Sequence, residues 1–245
     1  MIFVYLDLLD IDVFAAFVLF GALVTALIAG ISFHEFSHAF VADSMGDRLP
    51  RSLGRVTLNP LAHLDPAGTV LLFLVGFGWG KPVPVNPSVA RNPKAAMAII
   101  AGAGPLSNLL VAAVAGLPLQ AGLVPWLPPF NVGVINFLIR GGWGPEEYAG
   151  LYLSAIVLIS IILGVFNLLP IFPLDGHRVI PAFLTDEAAH SYMQFQARYG
   201  FIILIALIAL PFLTGGQFGI LFEVMSPIIN LLARLFAGID QDVFG

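Results

Sequence analysis

The sequence predicts an α-helical polytopic membrane protein with about five transmembrane helices and a re-entrant, β-hairpin region after the first. Of its 245 residues, 59 % are hydrophobic and only 10 % are charged, and the mean hydropathy is +0.96. That composition is too apolar for a soluble globular domain. Apolar runs also recur along the chain at roughly the 20 residues that a helix needs to cross a bilayer.

The first apolar run begins at Val13 and is nearly unbroken to Ile31, and we expect the helix to continue to about Ala42. Its length is sufficient for a membrane span. The residues before it include three aspartates but no Lys or Arg, which does not fit the basic start of a cleavable signal peptide. We therefore expect the first helix to remain in the mature protein.

The last third of this helix carries the sequence His34-Glu35-Phe36-Ser37-His38. Residues four apart lie on one face of a helix, so His34 and His38 can bind a single metal ion while Glu35 handles a proton. Ionisable side chains are costly inside a membrane and by default indicate a functional site. The chain contains no cysteine, so a metal site must be built from histidines and carboxylates.

The region after the first span is predicted to return to the same side of the membrane. Residues 43–65 are polar, and the stretch 53–60 alternates like a short strand that ends at proline. Residues 68–79 are apolar but too few to cross as a helix, which predicts a re-entrant segment. Prolines 82, 84 and 87 favour extended backbone in the next stretch, which is either a stiff linker or a strand that pairs with a guest peptide through the amides of Val83 and Val85.

Four further spans are predicted at about residues 95–116, 149–169, 199–213 and 218–236, with an interface-bound loop at 117–147. The third span leads into Pro170 and Pro173, which open the helical backbone just before Asp175. Asp175 then reaches the same membrane depth as the two histidines. It is the natural third ligand.

The basic residues predict the orientation. Apart from Arg140, the Lys and Arg residues that flank the predicted spans fall on the side opposite the acidic N-terminus: Arg48, Arg51, Arg55, Lys81, Arg91, Lys94, Arg178 and Arg198. The positive-inside rule makes that side cytoplasmic. The candidate metal site therefore opens toward the cytoplasm. The charges form no basic patch of the nucleic-acid-binding kind, so no nucleic-acid partner is expected.

Four sequence elements together resemble the site-2 protease family of intramembrane zinc proteases: residues 34–38, the Asn59–Pro66 stretch, Gly104-Pro105-Leu106-Ser107-Asn108, and residues 167–176. The resemblance implies one Zn²⁺ per chain on His34, His38 and Asp175, with Glu35 as the catalytic base and Asn167 near the substrate. It further implies that the substrate is a transmembrane segment of another protein in the lipid bilayer, and we expect the membrane to be the plasma membrane of a prokaryote.

We accordingly expect a single metalloprotease domain over residues 1–245, with a catalytic core at about 13–180 and additional transmembrane helices at about 199–237. Two other function classes compete with the enzyme. A catalytically silent scaffold would have no need of Glu35. A transporter would show repeated halves with paired broken helices, whereas this chain has one such break.

Overall fold

The computed structural model describes residues 12–68, 70, 80–215, 219–240, 242 and 243. Within them the chain is mostly helical and forms no named strand. The helices are α1 (Val13–Ser44), α2 (Leu49–Ser52), α3 (Pro93–Gln120), α4 (Val132–Arg140), α5 (Pro145–Asn167), α6 (Gly176–Val179), α7 (Asp186–Phe195), α8 (Phe201–Leu213) and α9 (Ile220–Ala237).

Five helical stretches in this part of the chain are long and apolar enough to cross a membrane, which confirms the predicted number of spans. They are α1, α3, α5, α9, and a continuous helix in which a π-helical turn at Gln196–Gly200 joins α7 to α8. The fourth candidate span therefore starts at Asp186 rather than near residue 199. Hydropathy misses its first half because residues 186–198 are mostly polar or charged.

Side-chain caps explain where the main helices begin. The carboxylate of Asp12 accepts a hydrogen bond from the Ala15 amide at 2.9 Å, which fixes the start of α1. Asn92 caps α3 in the same way, and Pro93 occupies the first helical position, where its missing N–H costs nothing. The Asp12 cap thus places the start of α1 about 20 residues before the candidate metal ligands on the same helix.

The helices α1, α3 and α5 pack against one another, and α9 packs against α3 and α5. Small residues allow these close contacts, as is usual where packing drives helix association in lipid. A Cβ at Gly164 of α5 would lie 3.1 Å from the Pro105 carbonyl of α3, and one at Gly116 of α3 would lie 2.2 Å from the Phe236 carbonyl of α9. The α1–α3–α5 bundle is the frame of the candidate site.

Two apolar clusters support this bundle. One joins the first half of α1 to α5 and to α4, through residues such as Leu19, Leu151 and Leu138. The other joins α3, α5 and α9 through residues such as Ala112, Ile161 and Ile229. The stretch 117–147, predicted as an interface loop, thus contains a short helix whose apolar side is part of the core.

The predicted β-hairpin after α1 is wrong for the residues that the structure describes. The stretch 53–60 forms turns, preceded by α2 and followed by a 3-10 turn at Pro60–Ala62. The physical reason is Arg55, whose buried guanidinium donates to the carbonyls of Ala62 and Lys81 and so draws the chain into a compact loop. The predicted re-entrant segment 68–79 lies almost wholly outside the described residues.

Residues 81–86 belong to no helix and no named strand, as their prolines favour. The segment is fixed at both ends. The Lys81 amide donates to the His63 carbonyl at 2.7 Å, next to an isolated antiparallel bridge between Leu64 and Gly80. At the other end, the Asn86 amide donates to the buried carboxylate of Asp47 at 2.5 Å.

Candidate metal centre

Three side chains converge at the centre of the bundle. The Nε2 atoms of His34 and His38 lie 2.9 and 3.1 Å from Oδ2 of Asp175, and 3.1 Å from each other. His34 and His38 are both buried on α1, while Asp175 comes from the loop after α5, 137 residues beyond His38. The structure therefore brings together the three residues predicted as metal ligands.

The other ring nitrogens of the two histidines face partners on α3. His38 Nδ1 donates to the Ile100 carbonyl at 2.7 Å. His34 Nδ1 lies 3.2 Å from Nδ2 of Asn108, whose Oδ1 has no hydrogen-bond partner among the described residues, and exchange of these two amide atoms lets Nδ1–H of His34 donate to Oδ1. Such outer partners fix the orientation of metal-binding imidazoles and direct Nε2 toward the metal. Because Asn108 is completely buried, this support for His34 belongs to the interior of the bundle.

The donor set suits a metal ion. With its Nδ1 hydrogen donated to a carbonyl, neutral His38 presents a lone pair at Nε2, and that lone pair faces the carboxylate of Asp175. A proton on Nε2 can bridge this contact, and a metal ion can take the place of that proton in the same buried position. Two imidazoles and one carboxylate are a typical catalytic zinc set, which leaves a fourth coordination position for water.

Gly104 allows α3 to approach the histidines. A Cβ at this position would lie 2.4 Å from Nε2 of His38 and 2.8 Å from Cε1 of His34. Real Cβ atoms essentially never make contacts this short. The absence of a side chain at residue 104 is therefore a steric requirement of the site.

The loop that carries Asp175 is held from two sides. Gly176 packs on the end of α5, where a Cβ would lie 2.2 Å from the Leu168 carbonyl. Gln196, a buried residue of the fourth span, accepts a hydrogen bond from the Phe172 amide at 2.8 Å and donates to the Pro170 carbonyl at 2.9 Å. These contacts compensate for the backbone groups that the two prolines leave open.

The environment of Asp175 favours its ionised form. Burial alone would raise the pKa of this carboxyl group, but hydrogen bonds with His34 and His38 outweigh burial and hold the pKa well below its usual range. An ionised carboxylate is the form that binds a metal.

Glu35 lies beside the cluster, half-buried, on the side of the 80–86 segment. A Cβ at Gly80 would come within 3.2 Å of its Oε1 atom, so the chain passes directly over the carboxylate. Burial lowers the pKa of Arg55, and the nearby Glu35 carboxylate opposes that shift. Glu35 therefore occupies the edge of the site where a polypeptide segment is already in contact.

The three residues predicted to contact substrate have different surroundings. Val83 is buried and Val85 half-buried, and both line a cavity next to the site. Asn167 is half-buried at the end of α5, where its amide nitrogen donates to the Leu163 carbonyl at 3.0 Å. Among the described contacts, Asn167 is therefore bonded to its own helix rather than to a member of the cluster.

Sequence reasoning missed several supporting residues. Gly104 and Asn108 were visible as parts of one short motif, but the motif does not say which histidine each one meets. Gln196 gave no signal at all, because it lies in a polar stretch that the hydropathy pattern places outside the membrane.

The chain is similar to known proteins over most of its length. The family model of peptidase family M50 matches residues 131–210. The chain is 33 % identical to YwhC of Bacillus subtilis strain 168 over 225 residues, which covers 89 % of this chain and 92 % of that protein. It is 26 % identical to Rip2 of Mycolicibacterium smegmatis over 214 residues and 29 % identical to Rip2 of Mycobacterium tuberculosis strain H37Rv over 207 residues; each match covers 83 % of this chain and 72 % of the relative.

The names of all three relatives contain the words zinc metalloprotease. No solved structure matches the chain. The match to YwhC extends over nearly the whole of both proteins, and the described structure has a candidate metal cluster within a set of membrane-spanning helices. The chain belongs to peptidase family M50, the site-2 protease family, and is a membrane-bound zinc metalloprotease.

Proposed function

We propose that this protein hydrolyses peptide bonds within or near the transmembrane segments of other membrane proteins. The observation that carries the proposal is the buried convergence of His34, His38 and Asp175 inside a helical bundle, with Glu35 at its edge. A centre at that place is accessible to a membrane-embedded peptide and shielded from most soluble ones. The partners are therefore a transmembrane protein substrate and the lipid bilayer.

One zinc ion per chain is held by His34, His38 and Asp175 in this proposal. When bound there, zinc supplies a Lewis acid that acidifies a water molecule and polarises the scissile carbonyl. Glu35 accepts the proton of the attacking water on a carboxylate oxygen and later delivers it to the leaving amine nitrogen. Asn108 and the Ile100 carbonyl keep the two imidazoles in the orientation that this chemistry requires.

The substrate must be unwound before it is cut, because all backbone groups of a transmembrane helix are bonded internally. The segment 81–86 offers an alternative set of partners. The amides of Val83 and Val85 have no hydrogen-bond partner among the described residues, and the segment is clamped at both ends. An extended substrate pairs with these amides as an added strand beside Glu35, and Asn167 approaches the substrate from the end of α5.

The site opens to the cytoplasmic side of the membrane. The Lys and Arg residues around the candidate site, such as Arg48, Arg51 and Lys81, lie near the end of α1 that carries His38. Basic residues concentrate on the cytoplasmic side of membrane proteins. Water therefore reaches the site from the cytoplasm.

The test is cleavage of a membrane-protein substrate library by the purified protein in lipid vesicles. We expect products with the wild-type protein, no products after zinc chelation, and restored cleavage when zinc is returned. The Glu35→Gln variant should retain zinc and lose cleavage, because an amide has the same size but cannot accept the proton. Appreciable cleavage by zinc-loaded Glu35→Gln would remove Glu35 from the role of base.

A further inference from the structure

A cavity of about 960 Å³ opens beside the candidate metal centre. One wall is the segment 81–85, and the opposite walls come from α3, from the region after Asp175 and from the fourth span. Most of the lining is apolar, with Val83 and Phe172 among the contributors. This is enough room for several residues of a polypeptide in extended form.

The polar lining of this cavity carries charge of one sign. Four basic residues line it, Arg55, Lys81, Lys94 and Arg178, and no acidic residue of the described chain does. Two of the four are already bonded within the protein. Arg55 donates to two backbone carbonyls, and Lys94 pairs with Asp186 at 2.6 Å.

Lys81 and Arg178 are different. Neither makes an ion pair with any residue in the part of the chain that the structure describes. Lys81 is exposed and Arg178 is partly exposed. The cavity therefore holds two positive charges with no internal counterion, one on each side, and it is complementary to a ligand with carboxylates.

Lys81 and Arg178, which line two walls of the cavity, are both close in sequence to residues of the candidate site. Lys81 directly follows Gly80, which lies over Glu35, and Arg178 lies three residues after Asp175 in the same short helical turn. A peptide held at Glu35 and running along the 81–85 segment must enter this space. The cavity is thus the exit for one end of the substrate.

We propose that this cavity receives the substrate segment that follows the scissile bond toward the basic side of the protein, and that Lys81 and Arg178 select segments carrying Asp or Glu. This inference rests on the proposed function and narrows its substrate class. Acidic side chains gain a counterion, while the Lys and Arg that usually flank transmembrane helices on the cytoplasmic side meet like charge. Membrane proteins with acidic juxtamembrane segments are the preferred substrates.

The test uses one transmembrane peptide sequence followed by four residues that are acidic, neutral or basic, with the full-length protein in vesicles of neutral lipid. We expect kcat/KM to fall from acidic to neutral to basic peptides. An exposed charge pair changes affinity by about two- to fivefold, so two charges predict a ratio of about tenfold between the acidic and the neutral peptide. The ratio should shrink at high salt, because exposed charges are screened.

Charge reversal distinguishes this effect from general electrostatics. The double variant Lys81→Glu and Arg178→Glu should prefer the basic peptide, whereas Arg91→Glu, an exposed residue outside the cavity, should keep the wild-type preference. If the reversed variant does not fold, the milder Lys81→Gln and Arg178→Gln changes should abolish the preference. Equal ratios in the wild type, the cavity variants and Arg91→Glu would overturn the proposal.

Binding of the same peptides to the Glu35→Gln variant separates this inference from the proposed function. Preferential binding of the acidic peptide without cleavage by the wild-type protein would support the cavity assignment and contradict the protease assignment. Cleavage with no charge preference in rate or binding would contradict the cavity assignment and support the protease assignment.

Discussion

Replacement of Gly104 by alanine tests the geometry of the metal centre with a single methyl group. The added Cβ would lie 2.4 Å from Nε2 of His38, whereas ordinary contacts begin near 3.4 Å. The His38 ring or helix α3 must therefore move by about 1 Å, well beyond the ±0.2 Å tolerance of metal–ligand distances. We expect the variant to bind zinc more weakly.

The size of the effect follows from two opposing terms. Alanine in place of glycine favours a helix by about 1 kcal/mol, while overpacking a buried contact costs about 1–3 kcal/mol. The free energy of unfolding of the zinc-free protein should then fall by no more than about 2 kcal/mol. Zinc affinity should fall more steeply, by about 10–100-fold, as it does when residues supporting metal ligands are lost.

The matched control is Gly102→Ala, two residues earlier on the same helix, where an added Cβ would have no atom within 4 Å. Zinc affinity is measured by competition with a chromophoric chelator, and stability by thermal unfolding with and without zinc. Gly102→Ala should bind zinc as the wild type does. Equal zinc affinity in the two variants would refute the proposed packing of α3 against His38.

Three further predictions address the surroundings of the site. Asn108→Ala should lower zinc affinity about 10–100-fold in the same chelator competition, and an unchanged affinity would mean that this amide does not support the histidine. Gln196→Ala leaves the Phe172 amide of the ligand-bearing loop without its partner, whereas the Pro170 carbonyl keeps a hydrogen bond from Tyr192. The loss costs about 1–3 kcal/mol; thermal unfolding should show it, while the exposed Gln194→Ala control should not, and equal melting temperatures would contradict it. Val83→Pro or Val85→Pro removes an amide donor and should slow cleavage at normal zinc content, whereas normal turnover, with no crosslink from these positions to a substrate analogue, would indicate a rigid spacer.

The metal ligands were accessible from the sequence because their signals are local. Helical periodicity alone places His34 and His38 on one face, and the proline pair before Asp175 indicates where the helix must open. The number of spans followed from hydropathy, which depends on composition rather than on partners. These features need no knowledge of the tertiary structure.

The features that the sequence did not predict depend on long-range contacts. The alternating stretch 53–60 resembles a strand, but Arg55 binds the carbonyls of Ala62 and Lys81, which both follow this stretch in the chain, and imposes turns. The partner of His34 lies 74 residues away on another helix, and Gln196 reaches back over 24 residues to the loop at Phe172. No local pattern encodes such pairings.

Zinc content is the measurement that tests the central claim most directly. We predict one zinc per chain in the purified wild-type protein and a large loss in both His38→Ala and Asp175→Ala, since each removes one of three protein ligands. His190→Ala and Glu187→Ala are the matched controls, because both residues are exposed on α7 and lie outside the cluster; they should retain the wild-type content. Undiminished zinc in His38→Ala and Asp175→Ala would contradict the assignment of the metal centre.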